Sequence, residues 1–398
     1  MGFRVHYFRD LANPGTTDLR TIRITDAIPF GTQPNCPGCD KELKPFCTLI
    51  ASDDRKRMRM GLCVSCGYIG YIDRPTKEWI VDYYIEDWDN AKARNLAEEA
   101  RKLKHGLTAE QRDAVHLADT LSINKEKWVC DIGCGNGGCL KEFQNIGFNH
   151  LVVVENSRYR AELAHLKYGF PVEVGNFESP SVAAALKKSA PIGVFFSHHT
   201  LEHVYTPREK FETTSGLQEE GDYTILTMPD VVHEPGIITL FWLPHLHGYT
   251  RVTLERLLNN HGYEVAADNF QYKRLMMASK KVADPKPRYA SDPHAMEAAL
   301  ERIRNWFFVG SMEPGKRYCM WWRSKTYHTG LKPVYAWAAA DHMQKKLEYI
   351  YDYAAARMFH SFRNQRSIVI SPLEKRYTNP ADCPLEIQFD GDIELLVR

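Results

Sequence analysis

The stretch WVCDIGCGNGGCL, residues 128–140, decides the fold. In order, these residues read as a short apolar strand, a glycine-rich turn and the start of a helix. Glycine lets the backbone approach a ligand closely, and an acid at the strand end, Asp131, can accept hydrogen bonds from an amine or hydroxyl. A lone G-x-G also fits a dinucleotide site. Two features point elsewhere: the acid precedes the glycines, and the next apolar run, LVVVE at 151–155, ends in Glu155, a carboxylate placed to hold both ribose hydroxyls.

Outward from this turn, strands and helices alternate, which gives a doubly wound α/β sheet with its ligand at the carboxyl ends of the first strands. Upstream, Thr108 to Gln111 is a capping box opening a helix that runs to about Leu121. Residues 75–87 and 89–104 read as helical. Downstream come VGNF at 174–177, strands at 192–197 and 222–229, a helix at 252–261 capped by Tyr249-Thr250-Arg251, and strands at 262–265 and 276–281.

This succession resembles the class I S-adenosylmethionine-dependent methyltransferases over about residues 125–281. The resemblance implies a seven-stranded Rossmann-like sheet with S-adenosylmethionine held by Asp131, Gly133, Gly135, Gly137, Glu155, Asn176, Phe177 and Ser197.

Cys36, Cys39, Cys63 and Cys66 form C-x2-C-x23-C-x2-C, two knuckles that supply the four tetrahedral thiolates of a closed structural zinc site. Cys47, between the pairs, reads as packing. The basic run 55–59 could touch phosphates but more commonly marks a solvated strand face.

His199-Thr200-Leu201-Glu202-His203 is H-x-x-E-H, the spacing of an inverted zinc-peptidase helix. That reading lacks a third ligand and leaves the glycine turn unexplained. In a methyltransferase sheet the stretch falls at the end of the fourth strand, where the acceptor sits. It also resembles the metal-binding E-x-x-E-H of small-RNA 2′-O-methyltransferases, with His199 in place of the first Glu and His245 five residues before Thr250-Arg251. His199, Glu202, His203 and His245 are therefore the expected catalytic residues, as an acid/base cluster or around a second divalent metal. The nucleobase amino-methyltransferase motif Asn/Asp-Pro-Pro-aromatic is absent at this strand end. The ribbon and a following tyrosine, Tyr83 or Tyr84, resemble the zinc-containing sugar C-methyltransferases. The expected acceptor is thus a small polar metabolite such as a nucleotide-linked sugar or glycan precursor, methylated at carbon or oxygen. An RNA acceptor gripped by the ribbon is the alternative, and a non-catalytic cofactor-binding scaffold the third.

Composition bounds the rest. With 51 Lys plus Arg against 50 Asp plus Glu, the net charge of +1 offers no global attraction for polyanions, which disfavours nucleic acid. No run approaches the ~20 apolar residues of a membrane span, the start lacks a secretory signal, and paired C-x-x-C spacing fits a reducing compartment, so a cytoplasmic location is expected. The expected organisation is an N-terminal segment (1–30), zinc ribbon (31–74), helical connector (75–124), methyltransferase domain (125–282) and an α+β region of unassigned role (283–398). In that last region, 284–287 reads as a linker, 294–308 and 334–359 as helices, 316–325 as a basic-aromatic strand, and the end as a hairpin around Asp390-Gly391.

Overall fold

The computed structural model describes residues 3–7, 29–51, 57–87, 100–101, 106–231, 245–269 and 274–289, and five strands beyond them. The expected helices at 89–104 and 294–308 lie wholly or mainly outside these residues.

The central sheet comprises β7 (Trp128–Ile132), β8 (Leu151–Glu155), β9 (Val172–Val174), β10 (Ile192–His198), β11 (Tyr223–Pro229), β13 (Tyr263–Asn269) and β14 (Arg274–Lys281). Their order is β13-β14-β11-β10-β7-β8-β9. Strands β7 to β11 run parallel, while β14 pairs antiparallel with both β11 and β13. The order reverses between β7 and β10, and a ligand crevice opens outside the carboxyl ends of the strands at such a switch point.

Local chemistry sets the crossover helices. Thr108 and Gln111 cap each other at the start of Ala109–Thr120. Ser157 caps Arg158–Tyr168, which ends on left-handed Gly169. Ser179 and Pro180 open Pro180–Leu186, and Thr250 opens Arg251–Asn259. Two cores flank the sheet near the glycine turn, one around Phe143, Phe148 and Phe196, the other around Val152, Phe177 and Phe195.

The cysteine-bearing region builds its own small sheet from β1 (Phe3–Tyr7), β3 (Lys44–Ala51), β4 (Arg57–Leu62) and β5 (Ile69–Tyr71). Its last strand, β12 (His247–Gly248), comes from the segment between β11 and β13 of the central sheet and pairs antiparallel with β5. A third core merges Cys36, Cys63, Cys66 and Tyr68 with Leu201, Tyr249, Leu254 and Met277.

Several expectations change. The helix expected over 75–87 is an α-helix only from Lys77 to Asp82 and then widens into a π-turn, Tyr83–Asp87. The stretch 284–287 is no free linker, because the backbone N–H of Lys286 donates to Glu264 Oε2 and that of Tyr289 to Glu255 Oε2. The helix expected over 334–359 contains β16 (Lys346–Asp352), where Leu347, Tyr349 and Tyr351 alternate with period two. That strand runs parallel to β15 (Arg317–Trp322), and β18 (Glu386–Asp390) and β19 (Ile393–Val397) pair antiparallel as the hairpin expected.

Candidate active site

A cavity of about 620 Å³ lies at the carboxyl ends of the parallel strands. On one side it is lined by Asp131, Gly133, Gly135, Glu155, Asn176 and Phe177, on the other by Tyr84, His198, His199 and His203.

The glycine turn needs its glycines. Gly133 has φ +75°, and a Cβ there would stand 2.3 Å from Thr200 Oγ1. Gly137, also left-handed, caps the helix Gly138–Asn145 without lining the cavity. Glu155 accepts from the N–H of Gly135 at 3.0 Å and of Ser157 at 2.9 Å, so the turn and the second strand are locked together. Asp131 is 1% exposed and its Oδ2 has no hydrogen-bond partner among the described residues. Burial, together with the nearby charge of Glu155, raises its carboxyl to about 8. An unpartnered acid at the cavity wall suits a ligand that brings its own positive charge or donors, as the amino acid end of S-adenosylmethionine does. Asn176 is turned toward Glu178, accepting from its N–H at 3.1 Å. Ser197 is a correction: at 1% exposure it stays inside β10 and does not reach the cavity. Strand alternation sends its side chain opposite to that of His198, which does line it.

The expected His199, Glu202, His203 and His245 set is divided. H-x-x-E-H does not form a helical face. His199 directly follows β10 with φ +51°, and Leu201–His203 is a single 3-10 turn. His199 bridges two carboxylates, with Nδ1 3.3 Å from Glu202 Oε1 and Nε2 3.3 Å from Glu110 Oε1. Burial opposes its protonation, but the two carboxylate bonds win and raise it to about 9, leaving a cation at neutral pH. Burial likewise opposes ionisation of Glu202, yet the His199 bond and the neighbouring imidazoles lower it to about 2. His198, buried and beside cationic His199, falls to about 4 and is neutral; its Nδ1 lies 2.5 Å from Thr227 Oγ1.

His203 is the cavity-facing member of the second group. Its Nδ1 is 2.8 Å from the Tyr84 hydroxyl, and its ring meets that of His245 edge-on with centroids 4.6 Å apart. Ligand atoms of Glu202, His203 and His245 lie within 4.8 Å of one another, and so do those of Glu110, His198 and His199. His245 and Glu202 sit behind His203 rather than on the cavity wall. Of the two tyrosines, Tyr84 faces the site and Tyr83 stacks on Trp79. Glu110 and His198 were not singled out by the sequence. An acid in the first turn of a helix reads as a partner for the helix dipole, and only the fold carries Glu110 to His199.

The four cysteines converge. Sγ separations are 3.3 Å for Cys39 and Cys63, 3.5 Å for Cys36 and Cys66, and 4.0 Å for Cys39 and Cys66. Four sulfurs each ~2.3 Å from a zinc ion stand about 3.8 Å apart, so the spacing fits a tetrahedral thiolate site. Thr253 Oγ1 donates to Cys66 Sγ, Arg256 to Ser65 O and Asn260 to Gly38 O, which docks both knuckles on the helix Arg251–Asn259.

With this geometry in place, residues 103–267 match the family model described as "Methyltransferase domain". The match and the sheet order define, within this chain, a methyltransferase domain of the class I S-adenosylmethionine-dependent type. Among solved structures, it is similar to an O-methyltransferase family protein from Burkholderia thailandensis. They share 12% identity and a TM-score of 0.39, over 50% of this chain and 64% of that one. Similarity also extends to magnesium protoporphyrin IX methyltransferase from Synechocystis, at 13% identity and TM-score 0.38, over 52% of this chain and all of that one. The geranyl diphosphate C-methyltransferase of Streptomyces coelicolor follows, at 12% identity and TM-score 0.34, over 44% and 76%. No curated protein sequence matches the chain.

Proposed function

We propose that the protein transfers a methyl group from S-adenosylmethionine to carbon or oxygen of a small polar metabolite, with a nucleotide-linked sugar or glycan precursor as the leading class. The observation that carries this is one cavity with two chemically distinct walls: Asp131 and Glu155 on one, the Tyr84–His203 pair on the other. When bound, S-adenosylmethionine supplies an electrophilic methyl group. Asp131 would hold its amino acid end and Glu155 its ribose, while Asn176 and Phe177 would border the adenine. His203 donates Nδ1–H to the Tyr84 hydroxyl oxygen and takes the acceptor's proton at Nε2. The resulting imidazolium is favoured by the Glu202 carboxylate behind it.

Cys36, Cys39, Cys63 and Cys66 would hold zinc, which gives rigidity rather than chemistry because four thiolates leave no open position. A second reading, a divalent metal on Glu202, His203 and His245, is favoured by their shared ligand shell. No helix among the described residues is long and apolar enough to cross a membrane. We propose a cytoplasmic location as well, since paired C-x-x-C thiolates that would hold zinc suit a reducing compartment.

The test is transfer of labelled methyl to a panel of sugar nucleotides, glycans, phenols and RNA, comparing the protein with His203→Ala. Loss of transfer by ~10²-fold or more with unchanged affinity for S-adenosylhomocysteine is expected. Unchanged turnover would remove His203 from the chemistry. Abolition of activity by a chelator that leaves the thiolate metal bound would replace the proton-transfer reading with the metal one.

A further inference from the structure

We infer that His247 is a positioning residue that, strapped to Tyr68 of the cysteine-bearing region, sets the acceptor wall of the active site independently of the cofactor wall. His247 makes a hydrogen bond at each ring nitrogen. Nε2 lies 2.8 Å from the Val204 carbonyl, which can only accept, so Nε2 carries the proton. Nδ1 of the neutral ring is then an acceptor, and the Tyr68 hydroxyl, 2.5 Å away, donates to it. Both residues are buried, Tyr68 at 1% and His247 at 3% exposure.

The strap has two ends at the site. Val204 directly follows His203, and His245 precedes His247 by two residues, so one imidazole fixes both members of the edge-on His203–His245 pair. The backbone reinforces it: His247 pairs with Gly70 and Gly248 with Ile69, and Leu246 packs with Ile80 and Tyr84. Arg74 adds a tie by donating to Tyr205 O at 3.0 Å while its guanidinium lies over the Tyr205 ring. Gly70 is needed for this arrangement, because a Cβ there would stand 2.2 Å from the Tyr68 hydroxyl.

The separation of the two walls follows from the cores. Cys36, Cys63, Cys66, Tyr68 and Ile72 share one core with Leu201, Tyr249 and Leu254. None of them enters the two cores that flank the glycine turn and the carboxyl end of β8. The ribbon therefore backs the acceptor wall from outside the cavity, which none of its described residues lines.

The inference rests on the methyl-transfer reading only for what the wall receives, and its test needs no acceptor. In the full-length chain, His247→Ala and Tyr68→Phe are compared with the parent by hydrogen exchange and by calorimetric binding of S-adenosylhomocysteine. Amides of 199–205 and 245–250 should exchange about tenfold faster or more, with 131–139 unchanged and cofactor-product affinity within about twofold. His247→Gln, which restores an N–H toward Val204, should recover part of the protection. Unchanged exchange at 199–205 overturns the inference, as does equal loosening of 131–139. If His247→Ala does not fold, Tyr68→Phe, which removes a single oxygen, decides it.

Discussion

Glu202→Gln removes one charge from a carboxylate–imidazolium–carboxylate chain buried beside the cavity. Glu202 is 1% exposed and held at about 2 against an ordinary 4.5. At ~1.4 kcal/mol per pH unit, this corresponds to about 3 kcal/mol favouring the anion. His199 is raised from 6.5 to about 9, with 28% of its side chain exposed to solvent, and it keeps Glu110 in the variant. The net loss expected near neutral pH is thus about 2 kcal/mol, below the usual ~3–5 for an imidazolium left wholly unpaired. The pH dependence carries the sign. A group raised on folding contributes fully below its unfolded value, so the His199 contribution is complete below 6.5 and disappears as pH climbs through about 9. A group lowered on folding contributes fully above its unfolded value, so the Glu202 contribution is complete above 4.5 and fades as pH falls through about 2. The difference in unfolding free energy between parent and variant should therefore be largest at about pH 5.5 and shrink toward about pH 9.5. Denaturant titrations at several pH values measure it directly. A difference independent of pH, or one larger at about pH 9.5 than at 5.5, would refute the charge arrangement assigned to His199 and Glu202.

Asp131, raised to about 8, is largely protonated at neutral pH in the free protein. Binding of S-adenosylhomocysteine, whose ammonium favours the anion, should release close to one proton near pH 7. Calorimetry in buffers of different ionisation enthalpy counts it, and no release would mean that Asp131 does not meet the ammonium. Cys36→Ser should cost the chain its tightly held zinc, read by metal analysis, and lower the melting temperature of the acceptor-side core while S-adenosylhomocysteine still binds. Retention of one zinc per chain by that variant would place the metal elsewhere.

Much of this was legible in the sequence because it is local. The strand, glycine turn and helix of 128–140 lie within one supersecondary unit, and glycines at positive φ are visible as glycines. The cysteine quartet is legible for the same reason, since each knuckle is four residues long. The histidine cluster was legible in membership but not in arrangement. H-x-x-E-H carries helical spacing, yet β10 runs through His198 and leaves His199 at φ +51°, so His199 faces Glu110 instead of His203. Parity along β10 allows Ser197 or His198 to face the ligand, not both, and sequence alone does not say which side of the strand is which.

What sequence could not show is the pairing of β5 with β12. A two-residue strand has no periodicity, and its partner lies far away along the chain. That short ladder changes the meaning of the ribbon. Read linearly, residues 31–74 form a separate module that could be spared or put to nucleic-acid binding. In the fold, the knuckle carbonyls of Pro37, Gly38, Ser65 and Cys66 are taken up by Arg208, Asn260, Arg256 and Thr250. A knuckle whose backbone is already committed to a protein partner has those acceptors spent, and releasing them to meet a nucleic acid would leave four side chains of the catalytic domain without their bonds. The same contacts carry any loosening of the thiolate cluster to Thr250, and from there along five residues to His245.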